Sequence, residues 1–319
     1  MAAVHKVLLA GALDADAEAR LAAGAEVFRA PAGDVAALCR LVVGCDALVA
    51  RTNTPVTRAV LEAGRRLRVV GIAGVGVDRV DVIAAEELGV AVLNTPAAAT
   101  DAVADLAVAF MLQLLRPIPR LADEYRRGHF DTARARPHGR ELRELTIGIV
   151  GMGRIGSRVG RTCAAGFGAR VIFNDIVAVG PFDFAAEPVD KGTIWAESDI
   201  VSLHVPLTDA TRGMVGAQVL GQMRTSALLI NTSRGAVVDA AALTAALQAK
   251  RLGGAALDVT DPEPLPPDHA LFACDNCILT PHVAARTPGG LHRMCAVVDD
   301  VLAFLGAGQV GSESCQIQP

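Results

Sequence analysis

The chain has 319 residues, a formal net charge of −4, and a composition that is 52% hydrophobic and 20% charged. This length exceeds the usual size of one hydrophobic core, so we expect two domains. The composition favours a well-buried globular protein over a disordered one. The slightly acidic balance argues against a nucleic-acid-binding protein, which needs a basic surface.

We expect a cytoplasmic protein without a membrane span or a metal site. No apolar run approaches the ~18 residues of a spanning helix. The short apolar run Val7–Ala12 is followed at once by acidic residues, so we interpret it as a first strand and not as a signal peptide. The cysteines are odd in number and scattered, and the single C-x-x-C pair, Cys274 and Cys277, has no second pair nearby.

The first part of the chain alternates short apolar runs with helical patterns, which predicts a parallel sheet covered by helices. The predicted strands are Val7–Ala10, Ala47–Ala50, Val69–Ile72 and Val90–Leu93. The predicted helices are 14–23, 34–43, 57–63 and 80–88.

A second alternating series follows a longer predicted helix, Thr100–Leu115, which ends near Pro117 because proline has no N–H to donate. We expect the Arg-rich stretch 126–143 to be an exposed connection. The predicted strands are Thr146–Val150, Arg170–Asn174, Asp199–His204, Ala227–Asn231, Gly254–Leu257 and Cys277–Leu279. We therefore predict an α/β protein with two doubly wound parallel sheets joined near residue 96.

A glycine pattern, Gly151, Gly153 and Gly156, follows the first strand of this second series and opens a helical run. The first glycine allows a tight turn, the second lets the backbone approach a pyrophosphate, and the third lets helix pack on strand. Free N–H groups at the helix N-terminus then face the phosphates. The pattern predicts a dinucleotide site.

Asp175 ends the next strand at about the ~20 residues downstream where a ribose-binding acid is expected. Its carboxylate can accept both ribose hydroxyl hydrogens and repels a 2′-phosphate. The following Ile176 and Val177 supply no cation for such a phosphate. We therefore expect NAD as the cofactor, with NADP disfavoured.

Three polar segments follow later strands of the same sheet. Arg234 lies beside Gly235 and suits a two-point grip on a carboxylate, although such an arginine also serves ion pairs. A proline-stiffened acidic loop contains Asp258 and Glu263, and without other information it reads equally well as an exposed turn. His282, in a Thr-Pro-His sequence, is suited to exchange a proton near neutral pH.

The carboxyl ends of parallel strands collect ligands at one edge of an open α/β sheet. Hydride transfer needs a cofactor, a grip on the substrate and a proton relay, and this edge has a candidate for each. The sequence thus points to a dehydrogenase.

The ordered motifs resemble the D-isomer-specific 2-hydroxyacid dehydrogenase family over nearly the whole chain. They are Gly151-Met-Gly-Arg-Ile-Gly156, Asp175, His204-Val-Pro-Leu-Thr208, Asn231-Thr-Ser-Arg-Gly235, Gly254-Ala-Ala-Leu-Asp258-Val259, Thr280-Pro-His282 and, in the first part, Ala73–Asp81. The resemblance implies hydride transfer between NAD(H) and C2 of a small D-2-hydroxy acid or 2-keto acid.

The resemblance also implies catalytic roles. Arg234 binds the substrate carboxylate and carbonyl, His282 is the general acid/base, and Glu263 holds His282 in its productive protonation state. Asp258 hydrogen-bonds the nicotinamide carboxamide.

Further binding roles follow from the same resemblance. Arg154 and Ile155 cover the pyrophosphate, and the cofactor groove is lined by Val205, Pro206 and Thr232. The loop Gly74-Val75-Gly76 presents N–H groups to the substrate carboxylate.

The implied architecture is a Rossmann cofactor domain, residues 97–286, inserted in a flavodoxin-like substrate-binding domain, residues 1–96 and 287–319. A homodimer formed through the cofactor domain is also implied, with Thr100–Leu115 and the following arm as contact elements.

The substrate stays open between two branches. The stretch Asn94–Ala107 resembles glyoxylate/hydroxypyruvate reductases, whereas Arg51 and Asp175 resemble phosphoglycerate dehydrogenase. Ile72 occupies the place where some of the latter have a phosphate-gripping arginine. We hypothesise that Arg286, together with Arg51, contacts a second anionic or polar substrate group; the alternative is an outward-facing arginine.

Two other functions are compatible with a dinucleotide fold. The first is an NAD(H)-sensing, corepressor-like interaction protein with little turnover, against which the intact set Arg234, Glu263 and His282 argues. The second is a Rossmann dehydrogenase with an unrelated substrate, which the ordered motifs disfavour.

Overall fold

The computed structural model describes residues 4–135 and 138–307. The strands are β1 (Lys6–Ala10), β2 (Glu26–Ala30), β3 (Ala47–Arg51), β4 (Val69–Ala73), β5 (Ala91–Asn94), β6 (Thr146–Val150), β7 (Arg170–Asn174), β8 (Glu187–Pro188), β9 (Ile200–Leu203), β10 (Leu228–Asn231), β11 (Gly254–Leu257) and β12 (Cys277–Leu279). The helices are α1 (Ala15–Gly24), α2 (Val35–Leu41), α3 (Arg58–Ala63), α4 (Val82–Glu87), α5 (Thr100–Leu115), α6 (Ile118–Arg126), α7 (Phe130–Arg134), α8 (Arg154–Arg161), α9 (Lys191–Glu197), α10 (Ala217–Gln222), α11 (Ala240–Gln248), α12 (Pro288–Cys295) and α13 (Val297–Gly306).

The described chain divides into two compact units. The first takes in the chain up to Ala99 and from Ala285 onward, and the second is Thr100–Ala284. Each unit has one parallel sheet with helices on both faces, which confirms the predicted fold class. The boundaries predicted from the sequence, 97 and 286, differ from these by a few residues.

The sheet of the first unit has the order β2-β1-β3-β4-β5, and all its strand pairs are parallel. This is the flavodoxin-like order. The C-terminal helix α13 packs on one face through Val297 and Val301, which belong to the same apolar cluster as Val49 and Val69. A Cβ at Gly71 would lie 2.5 Å from Val301 Cγ2, so this glycine permits the close approach of α13 to β4.

The sheet of the second unit has the order β12-β11-β10-β9-β6-β7-β8, again with parallel pairs. This is a Rossmann arrangement extended by one strand, and its order reverses between β6 and β9. Ligands bind outside the carboxyl ends of the strands at such a point. Two apolar clusters cover the two faces of this sheet.

Aspartate residues begin five of the helices. In each, the N-cap carboxylate accepts the amide N–H three residues later, which satisfies one of the donors that a helix N-terminus leaves free. The N-caps are Asp14, Asp34, Asp81, Asp190 and Asp239. The starts of α1, α2 and α4 were predicted to within two residues, whereas α9 and α11, which also begin after an Asp cap, were not predicted.

Some elements were not predicted. The edge strand β2 is half-exposed, with only Ala30 buried, so its residues lack the apolar run of a central strand. The edge strand β8 has two residues. The connection after α5 contains α6 and α7; Pro117 is the N-cap of α6, so it ends one helix and starts the next.

No single helix among the described residues is long and apolar enough to cross a membrane. Helices α5 and α6 pass such a test only as a pair bent by 51°. In this fold α5 is a core helix whose Ala107 and Met111 are fully buried.

Candidate active site

The glycine loop after β6 is fixed by close backbone contacts within the second unit. Gly151 has φ +90°, and a Cβ there would collide with the carbonyl oxygen of His204. A Cβ at Gly156 would collide with the carbonyl oxygen of Gly151, so the third glycine lets α8 pack against the turn. Both glycines are therefore required by sterics, as the sequence pattern predicts.

Gly153 differs from these two, because a Cβ there would meet no atom within 4 Å. It is the N-cap of α8 and supplies no capping side chain. The amide N–H groups of Ile155 and Gly156 have no acceptor among the described residues. Open space in front of free amides at a helix N-terminus is what a pyrophosphate requires.

Asp175 follows the last residue of β7, beside this loop. Its Oδ2 accepts the Met152 N–H at 2.7 Å, and its Oδ1 accepts the Val177 N–H at 3.2 Å. Each carboxylate oxygen can accept a further hydrogen bond, so two ribose hydroxyls can still be bound. The carboxylate also holds the glycine loop, a role that the sequence does not reveal.

The predicted groove residues lie on loops after β9 and β10. Val205 is partly buried and packs against the glycine loop, with its Cγ1 2.9 Å from the Cβ position of Gly151. Pro206 is exposed and its carbonyl accepts the Thr211 hydroxyl at 2.7 Å. The Thr232 hydroxyl is buried with no hydrogen-bond partner in the described chain. A buried hydroxyl without a protein partner, together with the open space at the glycine loop, is compatible with a bound dinucleotide that supplies the missing hydrogen bonds.

Asn231 organises the loop that carries Arg234. It is fully buried at the end of β10. Its Oδ1 accepts the Ser233 N–H at 3.0 Å and the Ser233 hydroxyl at 2.8 Å, and its Nδ2 donates to the Arg234 carbonyl at 2.9 Å. The Arg234 Nη1 donates to the Ser233 carbonyl at 2.8 Å. Sequence reasoning assigned Asn231 no role, although an Asn side chain commonly accepts a hydrogen bond from the backbone two residues on.

Gly235 joins this loop to the one after β11. A Cβ at Gly235 would collide with the carbonyl group of Thr260. Only glycine therefore fits where these two backbones cross, and the crossing holds the loop of Arg234 against the loop that leads to Glu263.

Asp258 is a buried anchor for the chain around His282. Its carboxylate is 1% exposed. Oδ1 accepts the Thr280 hydroxyl at 2.5 Å and the Val283 N–H at 2.8 Å, and Oδ2 accepts the Ala284 N–H at 2.8 Å. These contacts give Asp258 a positioning role, and its predicted contact with nicotinamide stays a prediction.

His282 and Glu263 form the one carboxylate–imidazole contact of this sheet edge, within the described residues. The distance from His282 Nδ1 to Glu263 Oε1 is 2.8 Å, and both side chains are 42% exposed. His282 has φ +53°, and its N–H donates to the Asp258 carbonyl at 2.8 Å. Its Nε2 has no partner in the described chain, so that atom can exchange a proton with a ligand while Glu263 orients the ring.

His204 lies under the same edge and behaves differently. Its Nε2 is 2.8 Å from the Ser202 hydroxyl oxygen. Burial lowers the pKa of His204 to about 4, because the interior disfavours the charged imidazolium. At neutral pH this histidine is therefore a neutral structural group.

The first unit has its own set of candidate residues at the carboxyl edge of its sheet. Gly74, with φ +154°, follows β4, and Asn94 Nδ2 donates to the Val75 carbonyl at 2.7 Å. The amides of Val75 and Gly76 have no acceptor among the described residues. The loop therefore has two N–H groups available to an anion, and its predicted contact with a substrate carboxylate stays a prediction.

The first unit also has a cluster of three potential metal ligands. Ligand atoms of Asp14, Asp16 and His292 lie within 4.8 Å of one another. Asp14 already caps α1, and Asp16 pairs with Arg20. These residues have structural partners, and we assign no metal to them.

Comparison with known proteins identifies the family of this chain. Residues 108–284 match the family described as D-isomer specific 2-hydroxyacid dehydrogenase, NAD binding domain. The chain belongs to this family. It is thus an oxidoreductase that uses a nicotinamide dinucleotide, and the resemblance read from the motifs is confirmed.

Similar proteins within the family have different substrates in their names. A glyoxylate reductase of Korarchaeum cryptofilum is 40% identical over 274 residues, 84% of this chain and 82% of that protein. A D-3-phosphoglycerate dehydrogenase of Archaeoglobus fulgidus is 37% identical over 257 residues, 78% of this chain but 47% of that protein.

Among solved structures, the TT0316 protein of Thermus thermophilus matches with a TM-score of 0.85 and 37% identity, covering 95% of this chain and 97% of that one. The corepressor-like alternative receives no support from these relatives.

Proposed function

We propose that this D-2-hydroxyacid dehydrogenase moves a hydride between NAD(H) and C2 of a small D-2-hydroxy acid or 2-keto acid, with His282 as general acid/base. The observation that carries this assignment is the 2.8 Å contact between His282 Nδ1 and Glu263 Oε1, which leaves Nε2 without a partner in the described chain. A glyoxylate/hydroxypyruvate-like or phosphoglycerate-like substrate fits the named relatives.

The proton and charge steps follow from these residues. During reduction the protonated His282 Nε2 gives its proton to the oxygen that develops negative charge at C2, and during oxidation it removes that proton. Glu263 keeps the ring oriented through Nδ1. Arg234 binds the substrate carboxylate and polarises the carbonyl. The bound nicotinamide supplies or accepts the hydride.

The cofactor residues are assigned from the second unit. Gly151, Gly153 and Gly156 form the cradle, and Arg154 and Ile155 cover the pyrophosphate. Asp175 binds the adenosine ribose, and its negative charge disfavours the 2′-phosphate of NADP. The groove residues are Val205, Pro206 and Thr232, with Asp258 near the nicotinamide.

The free amides of Val75 and Gly76, with Gly74 shaping their turn, are assigned to the substrate carboxylate. Their support is the absence of any acceptor for these N–H groups among the described residues. An anion that accepts both would complete the loop's hydrogen bonding.

We also propose a cytoplasmic homodimer whose contacts include α5 and the following arm. The arm exposes Ile118, Tyr125 and Phe130, with 62%, 66% and 47% of their surface accessible. Exposed apolar side chains of this size favour burial against a partner. The cysteines in the described chain are free thiols, which suits a reducing compartment.

The test is the oxidation of NADH with glyoxylate, hydroxypyruvate, phosphohydroxypyruvate, pyruvate and bulkier 2-keto acids, for the native protein and for His282→Ala. We expect turnover with at least one acid, and a loss of kcat by roughly 10²–10⁴ in the variant with NADH binding retained. His5→Ala is the control. His5 precedes β1, so it lies at the amino-terminal edge of the first sheet and not at a carboxyl edge, where ligands bind. Near-native turnover of His282→Ala would refute the assignment.

A further inference from the structure

The turn after β4 is held by the residues at the end of the neighbouring strand β5. Asn94, the last residue of β5, donates from Nδ2 to the Val75 carbonyl at 2.7 Å. Thr95 follows it and donates its N–H to the Gly74 carbonyl at 3.0 Å and its hydroxyl to the same oxygen at 3.3 Å. Two successive carbonyls of the turn are therefore fixed from the β5 side.

These carbonyls belong to the same peptide groups as the two free amides of the turn. The Gly74 carbonyl shares a peptide group with the Val75 N–H, and the Val75 carbonyl shares one with the Gly76 N–H. Both peptide bonds are trans, so each N–H points away from the carbonyl of its own planar group. Fixing both carbonyls toward β5 thus directs both N–H groups away from it, where they have no acceptor among the described residues.

The same hydrogen bonds make the free amides stronger donors. A carbonyl that accepts a hydrogen bond polarises its peptide group, and hydrogen bonds linked in this way strengthen one another. The Gly74 oxygen accepts two such bonds and the Val75 oxygen one. An anion in front of the turn therefore meets two amides that are both oriented and polarised by Asn94 and Thr95.

The turn is confined from its other side by the chain after β3. Strand β4 lies between β3 and β5 in the sheet. A Cβ at Gly74, which has φ +154°, would collide with the methyl group of Thr52, just after β3. Arg51, which ends β3, and Arg286, which precedes the N-cap of α12, take no part in these hydrogen bonds, and their predicted substrate contacts stay predictions.

We propose that Asn94 and Thr95 are positioning residues for the reaction, which hold the turn Gly74-Val75-Gly76 so that its two N–H groups meet the substrate carboxylate. This rests on the proposed function, in which those amides bind that carboxylate. Each residue acts through a peptide group of the turn. Because the carboxylate is bound alike in the ground state and the transition state, the effect falls on KM for the keto acid and not on kcat.

The first experiment measures kcat, the KM for the keto acid that the native protein reduces fastest, and the Kd for NADH. The variants are Asn94→Ala, Thr95→Val, which loses only the hydroxyl donor, and Thr95→Ser, which keeps it. The control is Asn276→Ala. Asn276 also donates from Nδ2 to loop carbonyls, those of Leu252 and Gly253 at 3.4 Å each, but it precedes β12 at the amino-terminal edge of the second sheet.

We expect Asn94→Ala to raise the KM for the keto acid about 10-fold, the lower end of the effect of losing one hydrogen bond to a charged group. The kcat and the Kd for NADH should stay native. Thr95→Val should raise this KM less, because the Thr95 N–H still holds the Gly74 carbonyl. Thr95→Ser and Asn276→Ala should keep the native KM. A native KM in Asn94→Ala, or a loss confined to kcat, would overturn the proposal, even if the melting temperature falls.

A second experiment needs no turnover and uses oxamate, an unreactive analogue of pyruvate with one carboxylate. With NADH present, oxamate should slow hydrogen exchange at the Val75 and Gly76 amides of the native protein, and Asn94→Ala should bind it about 10-fold more weakly. Unchanged exchange at these two amides would overturn the proposal. Failure of every keto acid to react would refute the proposed function. If one reacts but the Kd for oxamate is equal in native protein and Asn94→Ala, only the positioning role is wrong.

Discussion

Replacing Asp258 by Asn tests whether this carboxylate positions the chain around His282. The substitution keeps the size of the side chain but removes its charge and turns one acceptor oxygen into an NH₂ donor. If the amide oxygen stays with Thr280 and Val283, the NH₂ group faces the N–H of Ala284. Two donors then meet in a site that is only 1% exposed.

The expected cost follows from these contacts. A hydrogen bond to a charged group contributes about 1.5–3 kcal/mol and a neutral one about 0.5–1.5 kcal/mol. Asp258→Asn loses one charged bond and weakens two others by roughly 1 kcal/mol each. We therefore expect the free energy of unfolding to fall by about 3–5 kcal/mol, a large part of the 5–15 kcal/mol of a typical domain.

The measurement is urea unfolding of the native protein, Asp258→Asn and Thr280→Val, together with NADH binding and turnover. Thr280→Val removes only the hydroxyl donor to this carboxylate and should cost about 1.5–3 kcal/mol. If positioning dominates, Asp258→Asn lowers kcat more than it raises the Kd for NADH; a direct nicotinamide contact would raise that Kd most. An unfolding free energy that stays close to the native value would refute the account of the three hydrogen bonds.

The remaining predictions concern cofactor choice and acid stability. Asp175→Ser should lower the ratio of kcat/KM for NADH to that for NADPH at least tenfold, because the charge that repels a 2′-phosphate is removed. Asp175→Asn keeps an acceptor oxygen and therefore separates the effect of charge from that of hydrogen bonding. An unchanged ratio in both variants contradicts the assignment. The buried His204 stays neutral down to a pKa of about 4, whereas in the unfolded chain it takes up a proton near 6.5. Stability should therefore fall as the pH drops from about 6.5 to 4, by on the order of 1–3 kcal/mol, and His204→Asn should lose this share. Urea midpoints at neutral and at acidic pH measure it, and equal pH dependence in both proteins would contradict it.

Central strands were predictable because nearly all of their residues are apolar or small. All residues of β4 are buried, and β9, β10 and β11 are likewise buried throughout. Such runs arise when both faces of a parallel sheet are covered. Edge strands lack this signal: β2 pairs only with β1 and keeps Glu26 and Arg29 exposed.

In the candidate site, too, local sequence patterns were predictable and contacts between distant residues were not. The glycine loop is a local pattern, so Gly151, Gly153 and Gly156 could be assigned from spacing alone. The partners of Asp258 are 22 to 26 residues away in sequence, and no periodicity records contacts across such a separation.

The loops of the candidate site extend the pairing of the sheet beyond the strands themselves. Past the end of β10 and β11, the Asp258 N–H donates to the Asn231 carbonyl at 3.0 Å, and the His282 N–H donates to the Asp258 carbonyl at 2.8 Å. These bonds run across neighbouring loops in the order of the strands that precede them. The backbone of His282 is thus placed by the same register that aligns β10, β11 and β12. Because hydrogen bonds of this ladder and the Asp258 carboxylate act together, the backbone of the proposed acid/base residue is anchored to the core of its unit.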